Sequence, residues 1–389
     1  MSDQADFDII IYGATGFTGR LVVEYMLTRE PEVPQVRWAM AGRSADKLAA
    51  VRDEVGAPTD TPLIVADADQ PETLDDLVRQ TRCVLSTVGP YTHYGEPLVA
   101  ACARNGTDYV DLSGEVLWMK DMIEHYGSAA RASGARIVHS CGFDSVPFDL
   151  GVQYLQEEAV RRFGGACPRV RGRMRAMQGT FSGGTAASGA ATLAAVQKDP
   201  SLFNVLIDPF ALAEGFKGPE QPAGNKVAEE DGVWVAPFVM APINTKNIHR
   251  TNALAGHPYG EEFVYDEMMV TGPGEDGRKA AESVANMQIG GDDAPKPGEG
   301  PSRAEREAGF YDYLAIGTGP AGETLRVAVK GDRDPGYGST SKIIAEAAIC
   351  LVRDCGDVPG GIYTPGAAMG ARVRERLIAR AGLTFDVET

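Results

Sequence analysis

Hydrophobic and polar residues alternate in blocks along the first 140 positions of the chain. Short apolar runs such as Ile9-Ile10-Ile11 are separated by longer stretches in which apolar residues recur every three or four positions. The short runs predict β-strands and the longer stretches predict amphipathic helices. The predicted strands cover residues 7–12, 36–41, 63–66, 83–88, 108–112 and 136–140, with helices at 21–27, 45–54, 71–79, 95–105 and 116–133.

This regular alternation of strand and helix predicts an α/β fold. Parallel strands joined by crossover helices form a doubly wound sheet of the Rossmann type, and six strands complete a dinucleotide-binding domain. We therefore predict that residues 1–148 form such a domain.

The pattern changes after residue 148 and predicts a second, α+β domain for the substrate at 149–336. Its predicted elements are a helix at 150–163, strands at 169–178, 233–240, 262–269 and 325–330, and a run of small residues at 182–196. The Gly- and Pro-rich segment 287–306 is either a mobile lid or a linker. Helical periodicity returns at 338–352 and 367–381, so we expect residues 337–389 to form C-terminal helices that pack back on the first domain.

Three glycines follow the first predicted strand at Gly13, Gly16 and Gly19, directly before a helix. A turn without Cβ atoms lets the backbone approach a diphosphate, and the helix N-terminus offers free N–H groups and a positive dipole end. The strand before and the helix after the glycines favour a nucleotide site over a turn that makes only a tight corner.

The second strand ends in Gly42-Arg43-Ser44, with Lys47 one helical turn further on. An NAD site usually places an acidic residue there, to hold the ribose 2′-hydroxyl. A guanidinium and a hydroxyl instead suit the 2′-phosphate of NADP(H). We therefore predict a preference for NADPH, with a solvated surface arginine as the alternative.

The ends of later strands supply further candidates, because ligands sit at the carboxyl ends of parallel strands. Asp67 either contacts the adenine or caps the next helix. The residues expected beneath the nicotinamide ribose are Thr87, Val88, Gly89 and Pro90.

Four residues are candidates for catalysis. Tyr91 and His93 follow the fourth strand and could donate a proton, although a structural role is the alternative for each. Asp144 and Ser145 follow the sixth strand, where they could instead cap the next helix.

Composition narrows the range of functions. The balance of 37 basic against 54 acidic residues gives a net charge of −17, which disfavours nucleic acid as a partner. Six cysteines without metal-type spacing to the five histidines predict reduced thiols and no metal site. The acidic start MSDQADFD and the lack of a run long enough to span a bilayer predict a cytoplasmic protein with no transmembrane segment.

Several longer motifs occur in order along nearly the whole chain. They are GATGFTG, AGRS, TVGPY, YVDLSGE, GFDSVP, SGGTAAS, GDRDPGYGSTSKIIAEAAICL and GGIYTPGAAMG. In these motifs the chain resembles the saccharopine dehydrogenase-like oxidoreductases, and within them the trans-acting enoyl reductases of actinobacterial lipid synthesis. The resemblance implies an NADP-binding Rossmann domain, with coenzyme contacts at Gly13, Thr15, Gly16, Phe17, Thr18, Arg43, Ser44, Lys47, Thr87, Val88, Gly89 and Pro90.

The leading hypothesis is an NADPH-dependent reductase acting on a polarised C=C or C=O of an acyl thioester or a small carbonyl compound. The alternate arginines of Arg169–Gln178 could then form a basic patch for an acyl carrier, or a solvated strand face. The alternatives are a saccharopine-type imine or amino-acid dehydrogenase and a non-catalytic NADP-binding or lipid-associated protein. Short-chain dehydrogenase chemistry is excluded because the chain has no YxxxK sequence. The oligomeric state stays open, with a homodimer among the options.

Overall fold

Two seven-stranded β-sheets organise the residues that a computed structural model describes, which are 5–180, 183–287 and 298–389, without the side chains of 183–186. The strands are β1 (Phe7–Tyr12), β2 (Trp38–Gly42), β3 (Leu63–Val65), β4 (Thr81–Ser86), β5 (Asp108–Val110), β6 (Arg136–Val138), β7 (Arg169–Gln178), β8 (Ala228–Glu230), β9 (Val233–Pro237), β10 (Val264–Gly272), β11 (Phe310–Thr318), β12 (Thr324–Gly331), β13 (Gly361–Tyr363) and β14 (Leu383–Glu388).

The helices that accompany these strands are α1 (Phe17–Thr28), α2 (Ala45–Glu54), α3 (Pro71–Arg79), α4 (Tyr91–Tyr94), α5 (Glu96–Asn105), α6 (Val116–Ser133), α7 (Val146–Phe163), α8 (Gly183–Lys198), α9 (Phe203–Ile207), α10 (Ala241–Leu254), α11 (Gly274–Ala285), α12 (Arg303–Ala308), α13 (Thr340–Asp354), α14 (Pro365–Ala368) and α15 (Ala371–Arg376). A 3₁₀ turn (Pro200–Leu202) and two π-helical turns (Pro335–Ser339 and Leu377–Ala381) complete the helical structure of the described residues.

The first sheet is parallel throughout and has the order β13-β6-β5-β4-β1-β2-β3. The strand order reverses between β1 and β4, and the two strands end side by side, Tyr12 opposite Ser86. This is the doubly wound arrangement, in which ligands bind at the carboxyl ends of the strands where the order reverses. The α/β Rossmann-type fold predicted from the sequence is therefore confirmed.

The second sheet is mixed, with the order β14-β12-β11-β7-β10-β9-β8. Its long strand β7 pairs in parallel with β10 and antiparallel with β11. Helix α7 packs on β11 and β12 of this sheet. Gly151 of α7 lies against Tyr313 and Val329, and this face of the helix is buried. Only part of this architecture was predicted, since β8, β11, α10 and α11 do not appear in the sequence analysis.

The C-terminal segment differs from the expected pair of helices. The predicted helix at 367–381 is divided into α14, α15 and a π-helical turn, with Gly370 at φ +50° between the first two. Two strands that were not predicted flank it, and β13 joins the first sheet while β14 joins the second. The division at residues 148 and 336 stays a prediction.

Helix α13 packs on α1 of the first sheet through a fully buried apolar face and one buried carboxylate. Glu346 accepts hydrogen bonds from the Tyr25 hydroxyl at 2.9 Å and from Arg29 Nε at 3.0 Å. The buried charge is therefore paired, as a fully buried carboxylate requires. Of the segment 287–306, residues 288–297 lie outside the described residues, and α12 begins at Arg303 with a capping box between Ser302 and Glu305.

Candidate active site

The turn between β1 and α1 presents backbone to the crevice at the sheet edge. Gly13 has φ +91°, and a Cβ atom on it would lie 2.6 Å from Val88 Cγ2. Gly19 packs against the Gly13 carbonyl oxygen, so that a side chain there would also collide. The amides of Phe17 and Thr18 make no hydrogen bond with any described residue. These N–H groups, at the positive end of α1, fit the diphosphate of a dinucleotide.

Two further predicted contacts lie beside this turn. Gly16 is the residue that precedes α1, and its N–H donates to the Gly13 carbonyl oxygen at 2.9 Å. Thr15 stands beside Gly42 at the end of β2. The glycine turn and the end of the second strand therefore face the same crevice.

The end of β2 carries the predicted 2′-phosphate site. Arg43 is exposed and forms no ion pair with the described residues. Ser44 caps α2, because its Oγ accepts the N–H of Lys47 at 3.3 Å, and the Lys47 side chain is exposed. A free guanidinium and a helix N-terminus can bind a phosphate, and the contacts of Arg43, Ser44 and Lys47 with the 2′-phosphate stay a prediction.

Asp67 lies beyond the end of β3, in a turn. Its Oδ1 accepts the N–H of Asp69 at 3.2 Å, whereas α3 begins after Gln70. Asp67 therefore does not cap α3, and contact with the adenine stays a prediction. Burial first, and then the Asp67 carboxylate, raise the pKa of Tyr12 to about 12.

The segment after β4 holds the glycine turn in place. Thr87 Oγ1 donates to the carbonyl oxygens of Tyr12 and Gly13, at 3.4 and 3.3 Å. Val88 contacts Gly13 from the same side, and Gly89 lies in the wall of the cavity described below. Pro90 precedes α4. The four predicted residues thus run along the edge of the crevice where a bound nicotinamide would lie.

The structure does not bring Tyr91 and His93 together as proton donors. The Tyr91 hydroxyl donates to the Ser86 carbonyl oxygen and accepts the Leu112 N–H, both at 3.1 Å. Burial, and then the charge of Asp111, raise the pKa of the Tyr91 phenol well above its ordinary value. His93 is exposed and does not line the cavity. Tyr91 lines the cavity, but its hydroxyl is already bonded to the backbone on both sides, so neither side chain is well placed to protonate a substrate there.

Asp144 occupies a different position, half-buried in the cavity wall next to Gly114. Its carboxyl group accepts no hydrogen bond from another described residue. Removal from water raises the pKa of Asp144 to about 7, and a hydrogen bond from its own backbone N–H offsets only part of that rise. A carboxyl group that titrates near neutral pH and faces a cavity can act as a general acid.

Ser145 lies next in the chain but points away from the cavity. Its Oγ accepts a hydrogen bond from Asn247 Nδ2, on α10, at 2.8 Å. The side chain of Ser145 forms no capping hydrogen bond with α7. Ser145 thus joins the two halves of the molecule rather than capping the helix, which was the alternative role considered for it.

Glu115 is a prominent polar residue that was not among the predicted site residues. It is almost completely buried, and its carboxylate accepts the N–H groups of Tyr91 and Thr92, each at 2.8 Å, and the hydroxyls of Thr92 and Ser188. It therefore links the end of β5, helix α4 and helix α8. Its position directly after a buried strand in YVDLSGE was the signal that could have identified it.

A cavity of about 670 Å³ joins these elements to the second sheet and its helices. Gly16, Phe17 and Thr18 lie at the coenzyme end, and Leu206, Val239, Met240 and Ile243 form an apolar wall at the other. The charged residues among its described lining are Glu115, Asp144 and Glu299. The cavity thus offers apolar surface and acidic groups but, within the described lining, no cationic side chain.

The predicted basic patch on β7 is not available to an acyl carrier. Arg169 pairs with Asp266, Arg171 with Glu230 and Asp231, Arg173 with Glu230 and Asp266, and Arg175 with Asp312 and Glu388. These pairs neutralise the strand face because each guanidinium already meets at least one carboxylate.

In the described parts of the chain, no group of three or more potential metal ligands lies together, and no helix has the length and apolar character needed to cross a membrane.

Comparison with known proteins agrees with this geometry. Residues 9–138 match the family model of the saccharopine dehydrogenase NADP binding domain. A Mycobacterium tuberculosis protein provisionally named as a trans-acting enoyl reductase is 40% identical over 98% of this chain and 97% of its own. The trans-acting enoyl reductase of Mycobacterium ulcerans is 37% identical over 97% of this chain and 96% of its own.

The fold is also similar to a solved structure. The apo saccharopine dehydrogenase (L-Glu forming) of Saccharomyces cerevisiae aligns over 98% of this chain and 100% of its own, with a TM-score of 0.53 and 11% identity. At that identity the likeness supports the fold and carries no information on the substrate.

Proposed function

Because the chain belongs to the saccharopine dehydrogenase-like family, with relatives named trans-acting enoyl reductases, we propose that it reduces a C=C bond conjugated to the carbonyl of a neutral acyl substrate. Family membership makes the protein an NADP-dependent oxidoreductase, and the substrate and the proton donor are the parts that we propose. The glycine turn and the end of β2 would hold the coenzyme, which supplies the hydride when bound.

The charge of the cavity is the observation that carries this proposal. A dehydrogenase of amino diacids needs cationic side chains to bind the substrate carboxylates. The described lining has none, and Glu115 would repel such a substrate. A neutral acyl group avoids that cost and gains from contact with Leu206, Val239 and Ile243.

Asp144 would complete the reduction by donating a proton to the carbon next to the carbonyl. One hydride and one proton saturate the double bond, and the Asp144 carboxylate then recovers its proton from water. Its pKa of about 7 leaves a large fraction protonated at neutral pH. Glu115 is less suited to this step because four hydrogen-bond donors already hold its carboxylate.

A substrate panel followed at the NADPH absorbance band tests the proposal. It contains a 2-enoyl thioester, a 3-ketoacyl thioester, and mixtures of lysine or glutamate with 2-oxo acids that form imines. We expect NADPH oxidation with the enoyl thioester and none with the imine mixtures. Turnover of the imines would favour the amino-acid dehydrogenase, and binding of NADPH without oxidation of any substrate would favour a non-catalytic protein.

A further inference from the structure

Two residues from the second half of the chain, Gly300 and Tyr337, pack against Phe17, the first residue of α1. The Phe17 ring lies 5.2 Å from the Tyr337 ring, centroid to centroid, in an edge-to-face contact. The Gly300 backbone packs so closely on the other side that a Cβ atom there would lie 2.5 Å from Phe17 Cε1. Because Phe17 begins the helix whose N-terminus fits the diphosphate, these segments cover the coenzyme site.

Arg306 brings a positive charge to the same place. Its guanidinium carbon lies 5.7 Å from the centre of the Phe17 ring, within range of a cation–π contact. The side chain is half-buried, and Nη1 donates to the Pro301 carbonyl oxygen at 2.7 Å. The other N–H groups of this guanidinium donate to no described residue.

Arg306 differs from most arginines of this chain that are removed from water, although the buried Arg250 also meets only carbonyl oxygens. In this chain Arg29, Arg173 and Arg376 are buried to a similar or greater degree, and each pairs with at least one carboxylate. Arg306 forms no ion pair with the described residues. Asp334, which it affects electrostatically, is held instead by the amides of Tyr337 and Gly338. A partly buried guanidinium that directly pairs with no carboxylate and has unused N–H groups can bind an anion beside it.

We propose that Arg306 binds the diphosphate of NADP(H) from the side opposite the glycine turn. The amides at the start of α1 contact the diphosphate from the first sheet, and the guanidinium adds a full positive charge to the partial positive charge of the helix end. In a chain of net charge −17, such a local cation also offsets the repulsion that the coenzyme meets. The coenzyme then connects α12 to α1, so that its binding holds the two halves of the cavity together.

The test measures coenzyme binding by fluorescence titration, without any substrate. Arg306→Gln should raise the Kd of NADPH and of NADH by the same factor, about 10- to 100-fold, because both coenzymes carry the diphosphate. The ionic-strength dependence of the Kd should also weaken, since one charge contact is lost. Arg303→Gln is the matched control on the same helix, because Arg303 is exposed and pairs only with Glu307, and it should leave both Kd values unchanged.

Three results would overturn the proposal. An unchanged Kd in a folded Arg306→Gln protein would remove Arg306 from the site. A loss confined to NADPH would move the guanidinium to the 2′-phosphate. Should the glutamine variant unfold, Arg306→Lys decides, because it retains the charge. We expect its Kd values within about tenfold of those of the unmodified protein, with the ionic-strength dependence intact, and a lysine variant without that dependence would contradict the assignment.

Discussion

The two ends of the cavity are built in different ways. The coenzyme end is formed mainly by backbone, from glycines and free amides. Gly13, Gly16 and Gly19 lie within seven residues of one another. At the substrate end, side chains from distant segments converge, as Glu115 and Ser188 do. A site made of local backbone geometry can be predicted from spacing, whereas a site made of converging side chains depends on the whole fold.

Helix α10 shows the second kind of construction most clearly. It is largely polar yet mostly buried, and Lys246 Nζ donates to the carbonyl oxygens of Leu206 and Pro242, at 2.7 and 3.0 Å. Both of those residues line the cavity. Burial lowers the pKa of Lys246 to about 8. The apolar wall of the substrate end is therefore held in position by polar groups behind it.

The largest effect is expected from the carboxyl group between the two ends. Asp144→Asn should lower kcat by about 10²- to 10⁴-fold, because the amide cannot supply the proton, and should leave the Kd of NADPH unchanged. Asp149→Asn is the matched control. Burial also raises the pKa of Asp149 to about 7, but its carboxylate accepts the Gly366 N–H and does not line the cavity. Retention of a third or more of kcat by Asp144→Asn would exclude Asp144 as the donor.

The next largest effect tests the backbone construction of the coenzyme end. Gly13→Ala should raise the Kd of NADPH by about 10- to 100-fold, because the new Cβ meets Thr87 and Val88 at a positive φ. Gly56→Ala separates strain from contact. Gly56 also has a positive φ of +72°, but nothing lies within 4 Å of the added atom. This control should lose some thermal stability and keep its NADPH affinity, and equal affinity losses in both variants would argue against a specific role for Gly13.

Side-chain recognition at the coenzyme end has a smaller expected effect. Arg43→Gln should raise the Kd of NADPH about tenfold and leave the Kd of NADH unchanged, because only NADPH carries the 2′-phosphate. Isothermal titration with each coenzyme measures the difference, with Arg52→Gln, on the helix that follows Arg43, as the control. Tighter binding of NADH than of NADPH by the unmodified protein would refute the predicted preference outright.

The smallest effect concerns the buried carboxyl groups behind the substrate end. Burial raises the pKa of Glu267 and of Asp149 to about 7, so the folded protein binds more protons than the unfolded chain between about pH 4 and 7. The contribution of these two groups to stability is therefore fully present below that window and is lost as the pH rises through 7.

Thermal unfolding between pH 5 and pH 8 measures this loss. We expect Tm to fall by roughly 5 °C over that range. Glu267→Gln should reduce the fall by roughly a third, since Asp144 and Asp149 still titrate. Replacing the exposed Glu261 with Gln should leave the slope as it is. A Tm that does not fall between pH 6.5 and pH 8, above the range in which the buried His249 affects stability, would contradict the raised pKa of these groups.

The sequence predicted the first sheet well because its strands are continuous apolar runs between amphipathic helices. It did not predict α10, since APINTKNIHRTNAL has no apolar stripe and is buried through hydrogen bonds such as Asn244 to Glu267. The strand Gly361–Tyr363 was missed because three residues show no periodicity. Short edge strands and buried polar helices acquire their partners only in the folded chain.

The candidate site shows the same division. Gly13, Arg43 and Thr87 were predicted from their distance to strand ends. The structure places Thr87 against Gly13, and the coenzyme contacts of all three stay predictions. Tyr91 was a reasonable candidate by position, yet the direction of its hydroxyl depends on Ser86 and Leu112. The unpaired state of Asp144 is likewise a property of its surroundings that no spacing in the sequence reveals.

The pH dependence of kcat tests most directly whether the Asp144 carboxyl group supplies the proton. With the enoyl thioester as substrate, the account predicts that kcat is constant below about pH 6 and falls tenfold per pH unit well above pH 7, as Asp144 ionises. The residual activity of Asp144→Asn should lack this inflection. A kcat that stays constant from pH 6 to pH 9, or an identical inflection in the asparagine variant, would contradict the account.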